Sequence, residues 1–505
     1  MQDVLHRRLT VNRIILILSC ILSPIICKPQ GVDNLWLLGY DTIFQQVTGK
    51  MTIDFSGGFP SITSTTRPMS MYASNASISN SNGNLLFYTN GVYIANANND
   101  TMLNGDGLNP SAYTTQESDG LSIVQSDIVI PFPGDSMKYY LFHETIDTLG
   151  FIPLYLYYSI IDMTLDNGLG GVVSKNNILF SRTLGNGALT ACKHGNGRDW
   201  WLVVREYAYD YDNNTYLKYL ITHQGIQGPF FQSIGKLRIQ GLGQVVFSPD
   251  GVWYANYDTE GDLDLMNFDR CSGTFSNLIH VPIDDSAYVG GAAFSSDSKK
   301  LYISSEKYVY QFDLNSSNIP STQTTVAVWD SFYSPVYPFA TTFFLSQLAA
   351  DGRIYINCGP STKDIHVINY PDSLGLACNV CQHCIHLPTY NAFTIPNYPN
   401  YFLGAYSGSV CDTLTAINNI KSAVDQELIV FPNPVSKVLY ATIHKEKRIK
   451  TAKIFNALGQ EIPVYYTFIK NGEYLEMNVS GLSQGVYFLE LLSDKEKVVK
   501  RFIKN

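Results

Sequence analysis

Charge is what this 505-residue chain has least of: 15% of its residues are Asp, Glu, Lys or Arg, against about 25% in ordinary soluble domains. A basic excess is missing too, since 34 Lys+Arg face 43 Asp+Glu for a net charge of -9. A chain that neutralises nucleic-acid phosphates needs the opposite balance, so nucleic acid is excluded as a partner. Long apolar runs are absent beyond the N-terminus, which leaves no transmembrane segment in a mature chain. Local catalytic signatures are lacking as well: there is no His-Glu-x-x-His helix and no Gly-Lys-Ser/Thr phosphate loop. No catalytic residue, metal ligand or cofactor is therefore assigned. What the chain does have is 45% hydrophobic residues and 13% aromatics, including 34 Tyr. That composition is too apolar for disorder and favours strands, so an all-β protein is expected.

The N-terminus reads as an address. His6, Arg7, Arg8 and Arg13 precede the apolar run Ile14 to Ile26, which Pro24 interrupts. The run is too short to span a bilayer and fits a secretory signal peptide over residues 1–27. Ile26 before Cys27 argues against lipidation, which wants a small residue there. Export to an oxidising compartment makes the seven remaining cysteines candidates for disulfides: Cys192, Cys271, Cys358, Cys378, Cys381, Cys384 and Cys411. Their odd number leaves at least one thiol free or paired between chains. The run Cys378 to Cys384, with His383 and His386 beside it, has the ligand types of a zinc site. One compact cluster lacks the second pair such sites use, so disulfides or structural thiols are the favoured reading.

Between residues 35 and 404 one pattern recurs: an apolar strand, a tight polar turn, then a strand rich in Tyr, Leu, Ile and Val. The turns are SNSNGN, PGDSMK, HGNGRD, SPDG, SSDSKK and AADG. Each supplies the Gly, Asp or Asn that a tight reversal demands. Taking Gly83, Asp135, Gly197, Gly251, Asp297 and Gly352 as reference points, the intervals are 52, 62, 54, 46 and 55 residues. A repeat of that length holding several strands is the mark of a β-propeller, here six- or seven-bladed, over residues 28–415. Tandem β-sandwiches are the alternative, but no linkers interrupt the array. The seventh blade depends on whether Leu35 to Asp41 completes a blade begun at HLPTY or YFLGAY.

Conspicuous side chains in this region have plain explanations. Trp200, Trp201, Trp253 and Trp329 lie in or near expected strands and read as core. Asp258, Glu260, Asp262 and Asp264, and separately Asp100, Asn104 and Asp106, could face calcium, yet neither group has EF-hand spacing. Solvated strand and turn acids are expected instead. The segments GNLLFYTNGVYIANANNDTMLNGDGLNP (Gly83 to Pro110), LTACKHGNGRDWWLVV (Leu189 to Val204), DRCSGTFSN, LAADGRIYI and the run Leu387 to Leu414 resemble a family of exported bacterial propeller proteins of unassigned activity. That resemblance implies a propeller displayed at the surface and brings no substrate.

Composition changes near residue 420. Residues 421–505 hold 13 Lys+Arg and 9 Asp+Glu, a net charge of +4, which leaves 21 and 34, or -13, for the rest. The shift marks a separate unit, with residues 416–427 as linker. Short strands and compact turns over residues 428–505 predict a small immunoglobulin-like β-sandwich. Pro432 and Pro434 bracket Asn433 at a turn, and Gly459, Gly481 and Gly485 permit reversals. The motifs FPNPVSKVL, IFNALGQEI and VSGLSQGVYFLEL, followed by a basic last strand, resemble the type A C-terminal sorting domain of the type IX secretion system. The resemblance implies recognition by that secretion machinery, removal by its sorting peptidase, and a Gram-negative cargo that is secreted or held on the outer surface.

Taken together, the residues predict a secreted or cell-surface propeller that binds an extracellular glycan or protein without catalysis, an adhesion-type module. The runner-up is a polymer-degrading hydrolase or lyase with acids at the propeller axis; a structural part of a gliding or adhesion layer is the third reading.

Overall fold

A computed structural model describes residues 31–41, 49–116, 119–146, 152–207, 214–237, 242–335, 339–412, 428–443, 449–456, 459–469, 474–493 and 497–505. The expected signal peptide and linker lie outside the described residues. Two compact units divide the chain, residues 1–414 and 415–505. Both are built almost wholly of antiparallel strands; the only α-helix among the described residues is Ala112–Gln116.

The first unit holds seven small meandering sheets, each taken in chain order. Their lead strands are Leu35–Tyr40, Ala76–Ser79, Asp127–Pro131, Thr190–Lys193, Gly243–Phe247, Gly290–Phe294 and Phe343–Leu348. The first two sheets have three strands and the other five have four. All six turns read from sequence join the lead strand of a sheet to its second strand. Backbone bonds such as Gly83 N to Asn80 O (2.9 Å), Gly197 N to His194 O (2.8 Å) and Gly352 N to Ala349 O (3.0 Å) close them. At Gly251, φ is 73°, and an added Cβ would come within 2.7 Å of Arg270 Cδ and 2.9 Å of Cys192 Sγ. Only glycine fits there.

Burial explains the strand sequences. Second strands such as Trp200–Arg205 (WWLVVR) and Lys300–Ser305 are buried along their whole length, because neighbouring sheets cover both faces. Last strands such as Thr274–Val281 keep solvent on one side and mix exposed with buried positions. Adjacent sheets meet all along the series. Phe87 packs against Tyr139 at 5.5 Å between ring centroids, and Tyr216 against Tyr254 at 5.8 Å. The Tyr257 hydroxyl meets Ser305 Oγ at 2.7 Å, and Ser304 Oγ meets Ser346 Oγ at 2.9 Å. The series returns on itself: Trp36 and Phe55 of the first sheet stack edge-on against Tyr355 of the seventh, at 5.6 and 5.1 Å.

That junction answers what the sequence left open for Leu35 to Asp41. Leu35–Tyr40 does not complete a sheet begun near the C-terminal end of the array; it pairs with Gly49–Asp54 and leads its own sheet. HLPTY belongs to Val380–Asn391, the last strand of the seventh sheet. The segment containing YFLGAY forms no strand and works differently. Asn397 is 7% exposed and donates through Nδ2 to the carbonyls of Asp127 (3.1 Å) and Leu189 (3.0 Å). Its Oδ1 accepts from Gln125 Nε2 (3.2 Å) and its amide donates to Asn75 O (3.3 Å). The Tyr398 hydroxyl donates to Leu35 O (2.8 Å), Tyr401 to Val129 O (2.9 Å), and Asn400 Nδ2 to Pro249 O (2.6 Å). The five residues 397–401 thus tie the lead strands of the first and third sheets, the residues just before the lead strands of the second and fourth, and the turn of the fifth. Shortly after it, Cys411 is bonded to Cys271.

The second unit consists of two four-stranded antiparallel sheets. A common core includes Leu439, Ile454, Leu475, Leu489 and Phe502. Pro432, Asn433 and Pro434 form the turn after Leu428–Phe431, where Asn433 Oδ1 accepts from Ile503 N (2.8 Å). Gly459 turns at φ 78°, and Gly481 and Gly485 flank the entry to Gly485–Ser493.

Candidate functional site

A cavity of about 540 Å³ opens at the end of the first unit opposite the six turns. Segments that enter the lead strands build most of it: Tyr72 and Ala73, Ser122 and Val124, Asn186, Leu242 and Tyr288. Thr259 and Glu260 come from the hairpin after Trp253–Asp258, Phe344 from the seventh lead strand, and Phe393 from the head of the tying segment. The rings form a connected wall. Phe393 meets Tyr72 edge-on at 5.6 Å and Phe344 at 6.4 Å, while Tyr288 stands 81% exposed at the rim.

Polar groups are few and their partners are known. Ser122 Oγ is engaged by the Tyr113 hydroxyl at 2.5 Å. Asp258 Oδ1 accepts from the amides of Glu260 (3.1 Å) and Gly261 (2.6 Å), which fixes the hairpin carrying Glu260. The amide of Tyr288 donates to Glu306 Oε2 at 2.9 Å. Asn186 Oδ1 is shielded from solvent and accepts no hydrogen bond among the described residues. Burial raises the Tyr72 hydroxyl above the usual phenol range.

Acids raised by burial lie elsewhere: Asp33, to about 6, Glu206, Asp127 and Glu144. Asp127 and Glu144 are 1% and 0% exposed. Burial pushes Asp127 up to about 7, against hydrogen bonds from Ser126 and Ser74. Glu144 rises well above the carboxylate range through burial and the charge of Asp127, with Arg205 opposing. Neither lines the cavity. Two histidines are buried neutral: His143, between Asn109 Oδ1 (2.7 Å) and Ser159 Oγ (3.0 Å), and His366, beside Cys358 Sγ at 3.4 Å. Burial pulls both down to about 3.

The alternating acids serve structure. Asp262 Oδ2 pairs with Lys236 Nζ (2.7 Å) and His280 Nε2 (3.4 Å). Asp264 Oδ1 meets His280 Nδ1 (2.8 Å) and its Oδ2 accepts the Lys236 amide (2.9 Å). In the other acidic loop the Lys175 ammonium takes the place a cation would want, bonded to Asn104 Oδ1 (3.1 Å) and Asp106 O (2.6 Å). No group of three metal-ligating side chains occurs among the described residues. Trp200 and Trp201 are core, at 1% and 4% exposure. Of the cysteines, Cys271 bonds Cys411 and Cys381 bonds Cys384, while Cys192, Cys358 and Cys378 stand as buried thiols. Burial raises all three thiols, Cys192 and Cys358 to about 12, so none is an activated nucleophile. The cavity itself went unread in the sequence, because its lining comes from eight separate stretches of chain without a shared local motif.

Residues 429–505 match the secretion system C-terminal sorting domain family. The match identifies the second unit as a sorting domain of the type IX system and marks the chain as cargo exported to the outer surface or beyond it. Among the described residues no helix is long and apolar enough to cross a membrane. No curated protein matches the chain. Among solved structures, a protein of unknown function from Desulfotomaculum acetoxidans is 12% identical, covering 72% of this chain and 99% of its own at a TM-score of 0.38. A protein from Bacteroides uniformis provisionally titled a 6-phosphogluconolactonase is 13% identical (93% and 98% covered, TM-score 0.36). A Xanthomonas campestris gluconolactonase is 12% identical (64% and 92%, TM-score 0.32). At those scores the likeness carries no argument about this chain.

Proposed function

We propose that the seven sheets are the blades of a seven-bladed β-propeller, and that this exported domain is a binding module for an extracellular glycan or protein at its open end. The blade count rests on seven sheets in chain order, packed each on the next, with the first against the last. The function rests on one observation: the cavity is walled by Tyr72, Tyr288, Phe344 and Phe393 with a single carboxylate, Glu260, and none of the four acids that burial raises, Asp33, Asp127, Glu144 and Glu206, lines it. Aromatic walls with few fixed polar groups suit recognition, and a hydrolase would need an accessible acid and base together. Residues 1–27 act as the signal for the first export step, and residues 416–427 link the propeller to an immunoglobulin-like sorting sandwich. The secretion machinery recognises that sandwich and its peptidase removes it on anchoring or release.

The test is a screen of the exported chain on polysaccharide and peptide arrays, read for retained protein and for released products together. Retention without products, lost in Tyr288→Ala, is expected; released products would replace this reading with the hydrolase.

A further inference from the structure

We propose that the cavity takes an alkylammonium group, a deeper statement of the same site that rests on the binding reading above. Three observations lead there. Tyr72, Tyr288, Phe344 and Phe393 bring four rings to one cavity, and a cation that reaches a ring face gains from its negative quadrupole. The one charged lining side chain is the Glu260 carboxylate, and no Lys, Arg or His lines the wall. A phosphate, sulfate or carboxylate ligand would therefore meet like charge without a counter-ion. Asn186 lines the wall, but its Oδ1 is shielded and is not presented to a ligand in the open cavity. An alkylammonium group, primary or quaternary, carries no acceptor that would need a donor from this wall. Finally, the Ser122 hydroxyl is already bonded to Tyr113, and Glu306 sits behind the Tyr288 amide, adding a second negative charge near the rim.

Paired isosteres test this on the full chain. Nα-acetyl-lysine N-methylamide and choline are titrated against their neutral counterparts, Nα-acetyl-norleucine N-methylamide and 3,3-dimethylbutanol, by calorimetry and by NMR. The expected result is that at least one cation binds about ten-fold more tightly than its neutral partner. Its affinity should fall with added salt and drop to near the neutral level in Glu260→Gln, whose exposed position should leave the melting temperature unchanged. The arm that binds tells a lysine side chain from a quaternary ammonium. Equal binding of charged and neutral members, or full affinity in Glu260→Gln, overturns the cation assignment while leaving the pocket as a binding site. If array ligands are retained and displaced by neither cation, the assignment also fails; if the cavity residues respond to no ligand at all, the binding reading falls with it.

Discussion

Replacing Asn397 with Ala removes the most connected side chain in the tying segment. Three side-chain hydrogen bonds go: two donated to the carbonyls of Asp127 and Leu189 and one accepted from Gln125. All three former partners stay buried, since Asn397 itself is only 7% exposed. Each group left without a partner costs about 1–3 kcal/mol, and partial relaxation trims the sum to about 3–5 kcal/mol. A domain of roughly 380 residues has an unfolding entropy near 0.8 kcal/mol/K, so the melting temperature should fall by about 4–6 °C. Asn400→Ala, which loses one side-chain bond to Pro249 O, provides the scale, at about 1–2 °C. Differential scanning calorimetry of the purified chain reads both. A melting temperature for Asn397→Ala within 1 °C of the parent would refute the claim that this segment ties the sheets together.

Other outcomes follow from the same structure. The Cys271–Cys411 bond closes a loop of 140 residues, so the double Ser variant should lose about 2–5 kcal/mol, visible as a lower calorimetric transition. Thiol alkylation followed by mass spectrometry should leave Cys192, Cys358 and Cys378 unlabelled until denaturant is added, because all three are buried. His143 has its folded pKa pulled from 6.5 down to about 3, so the unfolded chain binds the extra proton and stability drains as pH falls from 6.5 toward 3. The deficit of His143→Gln should therefore shrink by about 2 kcal/mol between pH 7 and pH 5 in urea melts; a constant deficit would contradict a buried neutral imidazole. Truncation at residue 428 should hold the cargo inside the cell, scored by immunoblot of medium and surface fractions.

The legible parts of this chain were those specified locally. Glycine and Asp at Gly83, Gly197, Gly251 and Asp297 announce turns because tight reversals need them, and those turns located six of the seven sheets. The first sheet carries no such signal: eight residues, 41–48, separate its first two strands in the sequence. Asn397, Tyr398 and Tyr401 were unreadable for a different reason. Their partners are backbone carbonyls some 200 to 360 residues away, and carbonyls leave no trace in the choice of side chain. The cavity shares that property, since Tyr72, Asn186 and Phe393 meet only after the sheets have packed. Asp262 and Asp264 could face calcium because alternation puts them on one face of a strand; Lys236 and His280, which bond to that face, come from other segments.

The most direct test of the account is a hydrogen–deuterium exchange footprint of the exported chain with a ligand retained on the array. Protection is expected in the segments carrying Tyr72, Asn186, Glu260 and Tyr288, with the six turns at the far end unchanged. Protection confined to the turn end, or none at the cavity while the ligand is bound, would contradict the assignment of the binding site.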